Sequence, residues 1–201
     1  MAQVLREQRM SYDVGIWSRG VDHARFNPQR RDLDWRRGLG IADAVPAIGF
    51  LGRLVLEKGL ETMAAAVAEL KQRAVPHRLV VVGDGPALDA LQRKYPSAHF
   101  LGALHGPALA SAYAGADVLA FPSRTDTFGL VMIEALAAGT PVAAYPVTGP
   151  IDIVTPETGA LSERLEDAIA AALLCDRAAC AAYGRSFSWE RSAQEFLAGL
   201  H

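Results

Sequence analysis

Short apolar runs alternate along this chain with longer stretches in which apolar positions recur every three to four residues. The runs are Ala47–Leu51, Leu79–Val82, Ala98–Leu101, Val118–Phe121 and Val142–Tyr145. Leu79–Val82 is apolar at every position, the pattern of a strand covered on both faces. Val14–Trp17 reads as a further, first strand. Between the runs, Leu60–Arg73 sets Met63, Ala66, Val67 and Leu70 on one helical stripe. Pro86 suits the first turn of a helix that runs to about Lys94. Pro107–Ala114 predicts a helix ending near Gly115, and Gly129–Ala138 one that Gly139 stops. From Leu161 onward the pattern is helical and alanine-rich, ending with Trp189–Leu200. Repeated strand–helix alternation predicts an α/β fold: a Rossmann-like parallel sheet, helices on both faces, right-handed crossovers.

Composition narrows the function classes. The 201 residues are 51% apolar and 21% charged, enough for one domain with its own core. The formal net charge of −2 gives no basic surplus for nucleic acid, and none is expected as a partner. Arg30, Arg31, Arg36 and Arg37, mixed with Asp32 and Asp34, read as a solvated surface segment. Cys175, Cys180 and five scattered histidines show no metal-ligand spacing, so neither metal nor cofactor is expected. Met1–Arg9 lacks an apolar segment of the secretory kind. The longest uncharged run, Ala135–Ile151, is broken by Gly139, Pro141, Pro146, Gly149 and Pro150. It does not suit a membrane span, and a cytoplasmic location is the expectation.

In parallel sheets ligands sit beyond the carboxyl ends of the strands. That rule singles out the loops after Leu51, Val82, Leu101 and Phe121. The first reads Gly52-Arg53-Leu54-Val55-Leu56-Glu57-Lys58-Gly59, where Arg53 offers a fork of donors and Lys58 a point charge, a pair suited to a diphosphate. Two solvated cations are the plainer alternative. The second, Gly83-Asp84-Gly85-Pro86, fails the dinucleotide fingerprint because Leu88 stands at its last position. Gly83 there suits a tight turn or the wall of a nucleotide pocket. The loop after Phe121 carries Asp126, then Gly129, Leu130 and Val131 at a helix start, then Glu134 within an apolar setting. A helix start is a phosphate seat, and a carboxylate among apolar residues needs a partner or a hydroxyl-rich ligand such as ribose. An N-cap role for Asp126 and a buried salt bridge for Glu134 are the alternatives.

Taken in order, Gly52-Arg53 with Lys58-Gly59, Gly83-Asp84-Gly85-Pro86, Ala116-Asp117-Val118 to Phe121-Pro122-Ser123, and Phe128-Gly129-Leu130 through Glu134-Ala135 to Gly139-Thr140-Pro141-Val142 resemble the retaining glycosyltransferases of family 4. The resemblance covers nearly the whole chain. It implies one half of a GT-B fold, the half that binds a nucleoside-diphosphate sugar as substrate. By that resemblance Arg53 and Lys58 hold the diphosphate, Glu134 the ribose hydroxyls, and Leu104 the base. Gly129, Leu130 and Val131 reach phosphate or sugar through their backbone. Asp126, where the family has glutamate, contacts the donor sugar. The expected division is residues 1–28 as interdomain linker and first strand, 29–188 as the nucleotide-sugar domain, and 189–201 as a helix packing toward an N-terminal domain outside this chain. That domain would bring the acceptor, a sugar or lipid, with peripheral membrane association of the full-length enzyme. The chain alone would be inactive. A nucleotide-sugar-binding module without turnover and another GT-B enzyme, such as an epimerase, are the competing readings.

Overall fold

The computed structural model describes residues 17–125 and 129–199. Among them runs a six-stranded sheet: β1 Ala47–Leu51, β2 Arg78–Val82, β3 His99–Phe100, β4 Val118–Phe121, β5 Val142–Ala144 and β6 Gly159–Leu161. The order is β3-β2-β1-β4-β5-β6, and every pairing is parallel. The chain leaves β1 toward one edge, returns to lay β4 beside β1, and continues to the other edge. The reversal between β1 and β4 is where a doubly wound sheet opens a crevice.

Alternation along the strands builds two cores. Val80, Val82, Leu119 and Phe121 face α4 (Gly106–Gly115), α5 (Leu130–Ala137) and α8 (Arg177–Gly184). Leu79, Val81, Val118 and Ala120 face α2 (Leu60–Gln72), α3 (Leu88–Lys94) and α7 (Leu165–Ala172). This is the expected Rossmann-like sheet with helices on both faces. The edges depart from the sequence pattern. Ala98–Leu101 contracts to two residues because β3 pairs with β2 alone. Leu161, read as the start of helix, ends β6. Pro86 lies in a turn, and α3 starts at Leu88. Of Val14–Trp17, residues 14–16 lie outside the described residues, and Trp17 is in no strand.

The arginine segment corrects its sequence reading. Asp32 caps a short helix, α1 (Leu33–Gly38), and Arg36 is fully buried. The carbonyls at the end of α4 lack helical partners and carry the negative end of its dipole. Arg31 donates to Ala114 O (2.9 Å), Arg36 to Gly115 O (2.8 Å), and Arg177, at the start of α8, to Ala116 O (2.7 Å) and Ala114 O (2.8 Å). Asp117 receives Arg31 and Arg36, both at 2.6 Å. Burial pushes the Asp117 carboxyl up, but the Ala47 N–H and the two arginines outweigh it and hold the group below its usual range. Burial and the neighbouring Arg31 lower Arg177 to about 10, so it stays charged at neutral pH. Arg30 and Arg37 remain exposed surface cations, Arg37 paired with Asp34 and Asp43. Charge composition misled here because these guanidinium groups are satisfied by a helix end far away in sequence.

Residues 17–21 lie along α9 (Trp189–Ala198). Trp17 Nε1 donates to Ser192 Oγ (2.9 Å), and Ser192 Oγ donates to Ser18 O (2.8 Å). The Ser18 N–H and hydroxyl both donate to Glu195. Trp17 and Phe196 touch at 5.1 Å between ring centroids, yet each stays about half exposed, as do Trp189 and Leu197. Cys175 lies in the connection before α8, and Cys180 is buried within it. Burial pushes the Cys180 thiol up to about 12.

Candidate functional site

The four loops singled out by sequence lie at the carboxyl ends of β1, β2, β3 and β4. A cleft of about 460 Å³ opens there. Leu51, Gly52 and Arg53 line it from β1, Val82, Gly83 and Asp84 from β2, and Ala103, Leu104 and His105 from the loop after β3. Leu109 and Tyr113 of α4 and Val131 and Glu134 of α5 close it. The lining is mostly apolar, with Arg53, Asp84, His105, Tyr113 and Glu134 as its polar side chains.

Tight backbone packing brings the loops together. Gly83 has φ +140°, and a Cβ on it would overlap the Gly52 carbonyl oxygen. Gly52 N–H donates to Val82 O (3.0 Å), and Gly83 N–H to Gly102 O (2.8 Å). Three successive loops thus close on one another, which no side chain at Gly83 would permit. Gly59, beside Lys58, packs as closely against Pro122 at the end of β4.

Of the residues expected from sequence, Arg53, Gly83, Leu104, Val131 and Glu134 line one cleft. Lys58 ends the short 3-10 turn Leu56–Lys58. Through Gly59 that turn sits against the β4 loop, on the same edge of the sheet. Gly129 caps α5, and Leu130 and Val131 form its first turn, with the Leu130 side chain exposed. Asp126 lies outside the described residues.

Glu134 has a partner that sequence reasoning did not find. The Tyr113 hydroxyl donates to its Oε2 at 2.7 Å, in place of the salt bridge considered from sequence. Burial pushes the Glu134 carboxyl above its usual range, and the Tyr113 hydroxyl and the Arg25 charge pull it only partly back. Burial, then Glu134 itself, raise the Tyr113 phenol well above its ordinary value. One signal could have pointed to Tyr113: a lone large polar aromatic in an otherwise alanine-rich helix. Among the described residues, no group of His, Cys, Asp or Glu could hold a metal, and no helix is long and apolar enough to cross a membrane.

A Rossmann-like sheet whose crevice is lined by apolar side chains, a basic loop and a half-buried carboxylate defines a nucleotide-binding class of domain. Comparison with known proteins makes this specific. Residues 45–175 match the family of glycosyl transferases group 1. The chain belongs to that family. It is 42% identical over 164 residues to a GDP-mannose-dependent alpha-mannosyltransferase of Mycobacterium tuberculosis, covering 78% of this chain and 42% of that protein. It is 40% identical over 142 residues to a protein of the same name from Corynebacterium glutamicum, covering 71% of this chain and 33% of that protein. Anabaena Alr3699/HepE, solved with UDP and glucose, shares the fold at a TM-score of 0.74 and 21% identity, over 90% of this chain and 55% of that one. The chain thus spans about a third to two fifths of the two mannosyltransferases, and its sheet is one half of a GT-B fold.

Proposed function

We propose that this chain is the donor-binding domain of a retaining glycosyltransferase that uses a nucleoside-diphosphate sugar. The observation that carries the reading is the meeting of Arg53, Gly83, Leu104, Val131 and Glu134 in one cleft at the β1/β4 reversal. The apolar lining around Leu104 takes the base. Glu134 accepts from the ribose hydroxyls. Arg53, Lys58 and the first turn of α5, from Gly129 through Val131, hold the diphosphate, and Asp126 contacts the donor sugar. As the bond from sugar to diphosphate breaks, negative charge collects on the departing phosphate. Fixed cations and a helix start favour that state electrostatically.

The two mannosyltransferase relatives support GDP-mannose as the donor. Residues 1–28 and 189–201 would form the side facing an acceptor-binding domain, which brings a sugar or lipid acceptor. The contact between residues 17–21 and α9, with its exposed Trp17, Trp189 and Leu197, supports that division. On this reading the chain alone binds donor without transferring sugar.

Calorimetry with GDP, GDP-mannose, UDP, UDP-glucose and pyrophosphate tests the reading. Lys58→Ala should weaken GDP and pyrophosphate alike, by about tenfold or more, the usual effect of losing a charged hydrogen bond. Glu134→Ala should weaken GDP and leave pyrophosphate unchanged. Equal losses on both ligands would remove Glu134 from the ribose, and an unaltered Lys58 variant would remove Lys58 from the diphosphate.

A further inference from the structure

Helices α4 and α5 are tied to each other twice through one residue. The Tyr113 hydroxyl donates to Glu134 Oε2 (2.7 Å), and the Tyr113 carbonyl accepts from Thr140 Oγ1 (2.7 Å), three residues past the end of α5. The Tyr113 ring is buried and meets Phe26 edge-on at 5.5 Å and 85°. One and two residues further along, the end of α4 is clamped by Arg31 and Arg177 at Ala114 O and by Arg36 at Gly115 O. The ring is therefore held at its edge, its backbone and its helix end, so its hydroxyl is a fixed point in the cleft wall. It occupies one oxygen of Glu134. Among the described residues nothing donates to the other, Oε1.

From this geometry we infer that Tyr113 is the positioning residue of the nucleoside subsite, holding the Glu134 carboxylate so that Oε1 is presented to the ribose hydroxyls. The inference rests on the reading of Glu134 as the ribose contact. A carboxylate rotor with no such tether would sample orientations that a vicinal diol cannot use, and ordering it again would cost binding free energy. Removing the hydroxyl also takes away a donor that favours the charged form, while the desolvation that opposes charge remains. The other charged and titratable groups around Glu134 are Arg25 from the turn before α1, Arg53 after β1, Asp84 after β2 and His105 at the start of α4. None of these donates to either oxygen of Glu134 in this structure.

Tyr113→Phe is the informative variant, because it keeps the ring and its contact with Phe26 and deletes only the hydroxyl. We expect GDP affinity to fall by about tenfold, with pyrophosphate affinity unchanged. Binding of GDP should also fail at a higher pH than in the unaltered chain as the solution is acidified, because the Glu134 carboxyl then protonates earlier. Carbon NMR of labelled glutamate side chains reads that titration directly, without ligand, and the Glu134 midpoint should move up. GDP affinity that holds, GDP and pyrophosphate affinities that fall together, or a Glu134 midpoint that stays in place would overturn the inference. A purely structural tyrosine would lower the melting temperature and move none of the three. If the unaltered chain binds pyrophosphate but no nucleotide, the donor reading fails, and the Glu134 titration still decides whether Tyr113 holds the carboxylate.

Discussion

Ala74, two residues past the end of α2, has φ +54°, in the left-handed region that a side chain disfavours. The hydrogen bonds require it: Val75 N–H reaches back to Leu70 O and Ala74 N–H to Lys71 O, the paired closure that usually falls to glycine. Ala74→Gly should therefore stabilise the domain by about 0.5–1 kcal/mol, the strain relieved less the extra freedom of the unfolded glycine. A urea midpoint that fell would show that Ala74 makes contacts worth more than its strain. Gly83 presents the opposite case, where the backbone of a neighbouring loop fills the space a side chain would need. Strain at one position is tolerated far from the cleft, whereas at the cleft the glycine is what lets three loops close.

At the scale of elements, the end of α4 is the junction on which the site depends. Arg36 is fully buried, donates to Gly115 O, Val45 O and Asp117, and keeps its Nε without a partner. Arg36→Met fills much of the volume but strands two carbonyls and half of the Asp117 carboxylate. A loss of about 3 kcal/mol is expected, since breaking one partner of a buried pair leaves the rest uncompensated. Arg37→Met, one residue along and exposed, should change the denaturation midpoint little. Equal effects would mean that burial of Arg36 carries no energetic weight. The same junction marks the limit of what the chain reveals unfolded. Strands such as Leu79–Val82 and Val118–Phe121 are legible because burial on both faces demands consecutive apolar residues. The motif loops are legible by their place, because parallel sheets bind ligands beyond the carboxyl ends of their strands. Gly159-Ala160-Leu161 carries no β-branched residue and becomes a strand only because β5 offers it an edge. Arg36 and Tyr113 are likewise opaque, for their partners lie 81 and 21 residues away and nothing local announces them.

Over the whole molecule, the described chain closes on itself where residues 17–18 meet α9, and a single carboxylate, Glu195, holds both donors of Ser18. The Ser18 hydroxyl and N–H, with Arg191, draw Glu195 down to about 2 from an ordinary value of 4.5. A lowered carboxyl stabilises the folded arrangement above its ordinary value and loses that contribution as pH falls through the lowered one. The contact should therefore loosen progressively between pH 4.5 and about 2. The Ser18 amide resonance should follow this loosening, and Glu195→Gln should abolish its pH dependence. A Ser18 signal that moves only with global unfolding would show that the hydrogen bonds do not depend on that charge.

Because residues 17–18 and 192–195 sit side by side, a short peptide could join the two ends of the domain without crossing the cleft. Fresh termini could then be opened at the turn after α2, beyond the amino ends of the strands. Such a circular permutant would keep every strand neighbour and every cleft residue while making β1, now the first strand to emerge during synthesis, the last.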